Sequence, residues 1–285
     1  MGGPLAIIAG EGDLPGVLCR TPGVQQDLCG VISIGSSAAA IPDGVVFKTL
    51  GFAEIGHLWQ ILSQWQAKRV LFAGGVSSRP DYGRLFPDLG TLLALPKILP
   101  ALAGGDDAVL RAVASIFEGQ GFQVVGLQDL APELLAAEGG FGQKKPSSAQ
   151  MQDLEEGLRV ARGLGALDAG QAAVIENGRV LAVEGAEGTK AMLQRVSALR
   201  REGRISRRGG GVLVKCSKPQ QDLRFDLPTI GPGTFDEALE AGLSAIGVEA
   251  ENTLVLHKER LLQAVQAAGV ILYGFPRRRL VRENR

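Results

Sequence analysis

Three carboxylates in the second half of the chain are candidates for catalytic or metal-binding roles. The first, Asp226, lies in RFDLPTIGPGT between Phe225 and Leu227, and a proline and a glycine turn follow it. An aspartate in a turn commonly caps its own backbone. Its apolar neighbours instead predict partial enclosure, and an enclosed carboxylate needs a cation or a metal as partner. On the residues alone, both a cap and a functional carboxylate remain open for Asp226.

The other two carboxylates are Glu184 and Glu187 in AVEGAEGT, at the end of a strand-like segment and just before a helical one. Carboxylates near a helix N-terminus can simply stabilise the helix dipole at the surface. They can also hold a divalent metal, and Mg²⁺ is typically bound by one or two carboxylates together with substrate phosphates. The helix after them has Thr189 as its predicted N-cap.

A lysine, Lys215, ends the apolar segment GVLVK, and Lys218 follows three residues later. A lysine at a strand end near carboxylates can form a plain ion pair or neutralise a phosphate. The two interpretations stand side by side here.

Glycine turns follow two apolar segments of the first half. Gly10 and Gly12 come after LAIIA, and Gly74 with Ser77 lies in AGGVSSRP. Backbone N–H groups of such turns can bind phosphate, although a plain tight turn explains the same residues. The spacing G-x-G-x-x-x-G, with no acidic residue ending the second strand, departs from the dinucleotide pattern and argues against a nicotinamide cofactor.

The elements that position these residues alternate between short apolar strands and helices, which predicts an α/β fold with two domains. Residues 1–135 are predicted to form a Rossmann-like domain with a mostly parallel sheet. A Gly-, Ser- and Lys-rich segment, 136–148, is interpreted as a linker. Residues 149–285 are predicted to form a smaller α/β domain, which carries the catalytic motif and a hairpin at Asn177-Gly178.

Composition excludes several classes of protein. The net charge is zero and aromatic residues make up only 5%, so nucleic acid is not expected as a partner. The three cysteines lack metal or disulfide spacing, and no targeting or membrane-spanning segment is recognised, which predicts a cytoplasmic protein. The apolar segment TLLALPKILPALAGG is interpreted first as a core helix, with a lipid-contacting surface as the alternative.

Several motifs in order along nearly the whole chain carry a family resemblance. They are IAGEGDLP, FAGGVSSRPD, GDDAVLR, DAGQAAVIENGRVLAVEGAEGT, KCSKPQQDLRFDLPTIG and GVILYGF. With these motifs the sequence resembles the LpxI-type UDP-2,3-diacylglucosamine pyrophosphatases, cytoplasmic hydrolases of lipid A biosynthesis.

The resemblance implies magnesium-assisted attack of water on the diphosphate, giving UMP and 2,3-diacylglucosamine 1-phosphate. It implies a catalytic role for Asp226 and places two motif glutamates at Glu184 and Glu187. We expect Asp226, Glu184 and Glu187 to bind the metal and Lys215 to act in catalysis by stabilising phosphate charge. The expected partner is the UDP-linked diacylglucosamine lipid, and peripheral association with the inner membrane and a homodimer are compatible with it. The expected substrate-binding residues are Gly10, Gly12, Gly74, Ser77, Gln171, Gly188, Thr189 and Thr229.

The main hypothesis is therefore a magnesium-dependent hydrolase of a UDP-lipid diphosphate. A non-catalytic UDP-sugar or lipid-binding protein is the alternative, and a nicotinamide oxidoreductase ranks third.

Overall fold

A computed structural model of the chain describes residues 2–35, 40–75, 87–101, 106–141 and 144–276, without the side chains of 106 and 107. The chain divides into two compact units. The first unit comprises Met1–Pro132 together with Asp222–Asp226, and the second comprises Glu133–Gln221 and Leu227–Arg285. The α/β prediction is confirmed, although the second unit is not the smaller of the two.

The first unit is built on a parallel sheet whose strands follow the order β3-β2-β1-β4-β5. The central strand β1 is buried along its whole length, as its unbroken apolar sequence predicts for a sheet covered on both faces. The strands are β1 (Leu5–Ala9), β2 (Leu28–Ile34), β3 (Phe47–Leu50), β4 (Arg69–Ala73) and β5 (Gln123–Val124). The helices are α1 (Leu14–Leu18), α2 (Pro22–Gln25), α3 (Ile55–Gln64), α4 (Leu89–Ala101), α5 (Asp106–Gly119) and α6 (Leu127–Leu130), followed by a 3₁₀ turn, Pro132–Leu134.

The second unit contains a mixed sheet with the order β6-β13-β11-β9-β7-β8. Strands β9, β11 and β13 run parallel, whereas β7, β8 and β6 pair antiparallel with their neighbours. The strands are β6 (Gly139–Gly140), β7 (Ala172–Glu176), β8 (Arg179–Val183), β9 (Val212–Lys215), β11 (Ala245–Glu249) and β13 (Ile271–Phe275). A separate parallel pair joins β10 (Thr229–Ile230) to β12 (Leu254–Val255). The helices are α7 (Ser148–Ala166), α8 (Gly188–Arg201), α9 (Pro232–Glu240) and α10 (Lys258–Ala268).

Helices cover both faces of this mixed sheet. On one face, Val212 and Val214 of β9 pack with Leu154 and Leu158 of α7. On the other face, Leu213 packs in the core that also contains residues of α8, α9 and α10. The period of two along β9 therefore places alternate side chains in two separate cores.

The predicted hairpin is confirmed. Asn177 and Gly178 both have positive φ, at 53° and 74°, as a two-residue turn of this type requires. Asp153 of α7 accepts hydrogen bonds from both turn amides, at 2.9 and 2.7 Å. The hairpin is thus held by its local sequence and by one buried carboxylate from a distant helix.

The predicted linker 136–148 stays a prediction. Within it, Gly139–Gly140 form the edge strand β6, and Ser147 with Gln150 forms a capping box at the start of α7. This reciprocal bonding satisfies backbone groups that a helix N-terminus would otherwise leave unpaired.

Candidate active site

Polar side chains gather at one edge of the mixed sheet in the second unit. Strands β9 and β11 are neighbours in the sheet and both end at this edge, β9 with Lys215 and β11 with Glu249. Strand β7 begins there after Gln171, and β8 ends there just before Glu184, because both pair antiparallel with their neighbours. In open α/β sheets, ligands bind at the edge formed by the carboxyl ends of the parallel strands.

Of the described residues, Glu184 is one of two buried carboxylates at this edge. Its residue is only 6% exposed. One carboxylate oxygen accepts a 2.5 Å hydrogen bond from the Thr189 hydroxyl, and the other accepts a 3.0 Å bond from the Gln171 backbone N–H. A carboxylate bonded at both oxygens ties the end of β8 to the start of β7 and the first turn of α8. This geometry favours a positioning role for Glu184, and its assignment as a metal ligand stays a prediction.

The start of helix α8 differs from the expectation. Thr189 is not the N-cap: that position is occupied by Glu187, and the helix begins at Gly188, whose φ is 79°. The Thr189 hydroxyl is directed to Glu184 instead, because the buried carboxylate is a stronger acceptor than a neutral oxygen. Gly188 is needed for the left-handed turn that leads into the helix.

Glu187 lies in a different environment from Glu184. Its side chain is exposed, and an oxygen accepts a 2.6 Å bond from the guanidinium of Arg195, which also bonds the carbonyl of Val183. The two glutamates that the motif places three residues apart therefore have separate partners. Among the residues that the structure describes, no group of three acidic, histidine or cysteine side chains has the arrangement of a metal site.

Lys215 and Thr229 come together within the second unit. The Lys215 ammonium donates to the Thr229 carbonyl oxygen at 3.4 Å, and both residues are half-buried. Lys218 instead pairs with Asp168 at 2.7 Å. The two lysines, which the sequence does not distinguish, therefore have different partners, and Lys215 is the one at the sheet edge.

The sequence reasoning missed Glu249. This buried carboxylate accepts bonds from the Ser217 hydroxyl at 2.5 Å and the Ser217 backbone N–H at 3.1 Å, and Arg162 lies 3.6 Å from its other oxygen. It holds the loop that follows Lys215. The signal that identified Lys215, a charged residue ending an apolar strand, applies equally to Glu249 in SAIGVE.

Cys216, directly after Lys215, is not equipped to act as a nucleophile. Burial, and then the nearby carboxylate of Glu249, raise the pKa of its thiol to about 12. The thiolate is the reactive form, so Cys216 stays protonated and inert at neutral pH.

In the first unit, the two predicted glycine turns pair with each other. Gly10 N–H donates to the Ala73 carbonyl at 2.8 Å, and Glu11 N–H donates to the Gly75 carbonyl at 2.7 Å. A side chain at Gly10 would collide with the Gly75 carbonyl oxygen, and one at Gly74 with that of Glu11. Close approach of two loops therefore explains both glycines physically, and their substrate contacts stay predictions.

The other two residues predicted to contact substrate in this unit, Gly12 and Ser77, differ from Gly10 and Gly74. Gly12 has a φ of 92° and open space where a side chain would lie, so its conformation alone requires glycine. Ser77 lies outside the described residues.

Asp226 belongs to the first unit, at the end of the segment Asp222–Asp226. Phe225 stacks on Phe72 with ring centroids 4.7 Å apart, and Arg224 pairs with Glu118 at 2.8 Å. The expected enclosure of Asp226 is wrong, because its residue is exposed. The neighbouring side chains of Phe225 and Leu227 are packed, whereas the Asp226 carboxylate between them is accessible to solvent.

The anchor of this segment is Asp222. Its carboxylate accepts bonds from the backbone N–H and the guanidinium of Arg224, and the guanidinium bonds lower the pKa of Asp222. The Asp226 N–H in turn donates to the Asp222 carbonyl at 3.4 Å. The carboxylate of Asp226 is thus presented on an anchored turn.

We expect Glu184→Ala to lower the free energy of unfolding by about 2 kcal/mol, because it leaves the Gln171 N–H without its buried acceptor. Glu187→Ala removes an exposed ion pair and should cost less than about 1 kcal/mol. Urea denaturation of both variants measures the difference. Equal effects of the two substitutions would contradict the positioning role of Glu184.

The fold and the charged side chains at this sheet edge define an α/β protein of two units with a candidate ligand site. Family models match both halves of the chain: the LpxI N-terminal domain matches residues 4–134 and the LpxI C-terminal domain matches residues 137–273. A UDP-2,3-diacylglucosamine pyrophosphatase LpxI of Caulobacter vibrioides is 40% identical over 272 residues, covering 95% of this chain and 96% of that protein. The chain belongs to the LpxI family.

Proposed function

We propose that this protein hydrolyses the diphosphate of UDP-2,3-diacylglucosamine. The observation that carries the proposal is the 40% identity, over nearly the whole chain, to a relative named for that activity. In the reaction, a water oxygen bonds to one phosphorus while the bridging P–O bond breaks. The products are UMP and 2,3-diacylglucosamine 1-phosphate.

Lys215 is proposed to neutralise charge on the diphosphate. It lies at the carboxyl end of β9, where ligands of such sheets bind, and its ammonium is held beside Thr229. A positive group that is already positioned stabilises the charge that develops on phosphate oxygens as the bridging bond breaks.

Gln171 is proposed to orient the substrate. Its side-chain carbonyl oxygen is buried and accepts no hydrogen bond from the residues that the structure describes. Such an acceptor is costly unless a donor reaches it, and hydroxyl or N–H groups of a UDP-sugar are donors of the right kind. Glu184 supports this arrangement by holding the Gln171 backbone and the Thr189 hydroxyl, beside Gly188.

Asp226 is proposed to accept the proton of the attacking water. An exposed carboxylate on an anchored turn is accessible to substrate and solvent, and after the reaction it can release the proton to bulk water.

Magnesium is proposed as the cofactor. Glu184 does not fit a metal well, because both of its oxygens accept hydrogen bonds, and Glu187 is paired with Arg195. The exposed Asp226 carboxylate, together with substrate phosphate oxygens, fits the few-carboxylate pattern typical of Mg²⁺. When bound there, the ion would neutralise charge on the diphosphate.

The activity is tested with purified protein, UDP-2,3-diacylglucosamine dispersed in detergent, and chromatographic detection of UMP. We expect UMP release to require the protein. Tight binding of the substrate without UMP release would instead identify a non-catalytic binding protein.

Removal of magnesium gives a separate prediction. We expect EDTA to lower turnover by about tenfold or more, since metal charge stabilisation is worth several kcal/mol, and added Mg²⁺ to restore it. Turnover that is unchanged in EDTA would contradict the magnesium proposal but not the proposed hydrolase activity.

Peripheral membrane association and a homodimer complete the proposal. The lipid substrate in the relative's name supports the former, and light scattering of the purified protein tests the latter.

A further inference from the structure

Helix α4 of the first unit has an unusual distribution of apolar residues. Leu89, Leu92, Leu93 and Leu99 are 72%, 49%, 73% and 56% exposed. Their spacing of three, four and ten residues from Leu89 places them on one side of the helix. We call this side the leucine face. The expectation of a core helix for this segment is wrong, at least for residues 91–101.

The opposite side of α4 attaches the helix to the unit through buried small and polar groups and the half-buried Leu95 and Ile98. Thr91 and Ala94 are the buried residues. The Thr91 hydroxyl donates to Asp88 at 2.9 Å and accepts from the Ile55 N–H at 3.1 Å, at the start of α3. A side chain at Gly90 would collide with the backbone of Gly56, so the two helices approach closely. The leucine face is therefore not needed to attach α4 to the unit.

A surface helix usually turns its polar side to solvent, whereas α4 carries apolar residues on its exposed side as well as on its inner side. A contiguous exposed apolar patch on a soluble protein marks a surface that binds a partner. We propose that the leucine face docks on the surface of a lipid bilayer. The choice of a lipid surface rests in part on the proposed function, because a diacyl substrate resides in a membrane.

Composition favours a bilayer over a protein partner. Between Leu89 and Ala101 the only charged residue is Lys97, which is exposed, and there is no acidic residue. A long lysine side chain beside inserted leucines can reach anionic headgroups. The aromatic residues, methionine and arginine that are enriched in protein interfaces do not occur in this helix.

The two prolines of α4 limit how deeply the helix can insert into a bilayer. Pro96 and Pro100 have no N–H, so the carbonyls of Leu92 and Pro96 lack the usual helical hydrogen bond. Such carbonyls are costly in hydrocarbon or in a dry interface, but water in the headgroup region can satisfy them. None of the described helices is long and apolar enough to cross a membrane. An interfacial position in the plane of the bilayer meets all of these conditions.

The proposal is tested by cosedimentation of the full chain with vesicles of phosphatidylethanolamine and phosphatidylglycerol. The test variant is Leu89→Ser/Leu93→Ser. The matched control is Leu167→Ser/Leu239→Ser, which changes two leucines that are 80% and 45% exposed in the second unit. We expect the test variant to lose vesicle binding by about tenfold or more and the control to bind like the wild type.

Thermal unfolding checks that both variants are folded, and exposed positions predict little change. Equal vesicle binding by the test variant and wild type, or no binding by wild type, would overturn the proposal. A test variant that keeps vesicle binding but changes from dimer to monomer in light scattering would assign the leucine face to a second copy of the chain.

The outcomes for docking and for hydrolysis are distinguishable. Turnover of detergent-dispersed substrate should be unchanged in Leu89→Ser/Leu93→Ser, while turnover of substrate presented in vesicles should fall. Vesicle binding without any UMP release would contradict the proposed function alone, and UMP release without vesicle binding would contradict the docking surface alone.

Discussion

Replacing Asp226 with asparagine is expected to lower kcat by about 10²–10⁴-fold, the usual contribution of a general base. The substitution keeps the size of the side chain but removes its ability to accept a proton. Because the residue is exposed, the free energy of unfolding should change by less than about 0.5 kcal/mol. Rates of UMP release and urea denaturation measure the two quantities.

The control for this experiment is Asp236→Asn, which changes another exposed aspartate, on α9. It should leave turnover close to that of the wild type. If Asp226→Asn retains wild-type turnover with the fold intact, the central catalytic assignment fails, whichever family the chain belongs to.

Lys215→Met is expected to lower kcat by about 10²-fold or more, comparable with the loss of one positioned group that stabilises the transition state. Methionine keeps a long unbranched side chain, so packing at the end of β9 is largely retained and the lost property is the charge. Steady-state kinetics should show the main effect on kcat, because the charge on the phosphate oxygens grows in the transition state.

The chain offers a close control in Lys218→Met. Lys218 lies three residues further on but pairs with Asp168 at 2.7 Å, so its substitution should change turnover only slightly. A loss in Lys218→Met as large as that in Lys215→Met would show that general positive charge in this loop, and not the position of Lys215, is what matters.

Several features of the fold were predictable because they depend on neighbours in sequence. The hairpin at Asn177-Gly178 follows from the backbone angles that these two residues tolerate. The unbroken apolar segments predicted buried strands, and Lys215 ends one of them, β9, as the sequence predicts. The helix–strand alternation was sufficient for the α/β class.

The partners of the charged residues were not predictable in the same way. Glu184 and Glu187 lie three residues apart, yet one is buried against Gln171 and Thr189 and the other pairs with Arg195 at the surface. The enclosure of Asp226 was wrongly predicted because its apolar neighbours pack without it. Glu249 ends an apolar strand as Lys215 does, but its pairing with Ser217, which follows a different strand, was not predictable from the sequence.

By itself, the sequence determined the α/β class, the hairpin and the motifs shared with the LpxI family, since each depends on local conformation or on the order of residues along the chain. Only the tertiary structure decided that Glu184 is a buried hydrogen-bond acceptor, that Asp226 is exposed and that the leucine face of α4 points outward. The physical reason is that burial and charge pairing depend on which distant segments pack together, and the spacing of residues along the chain does not specify that packing.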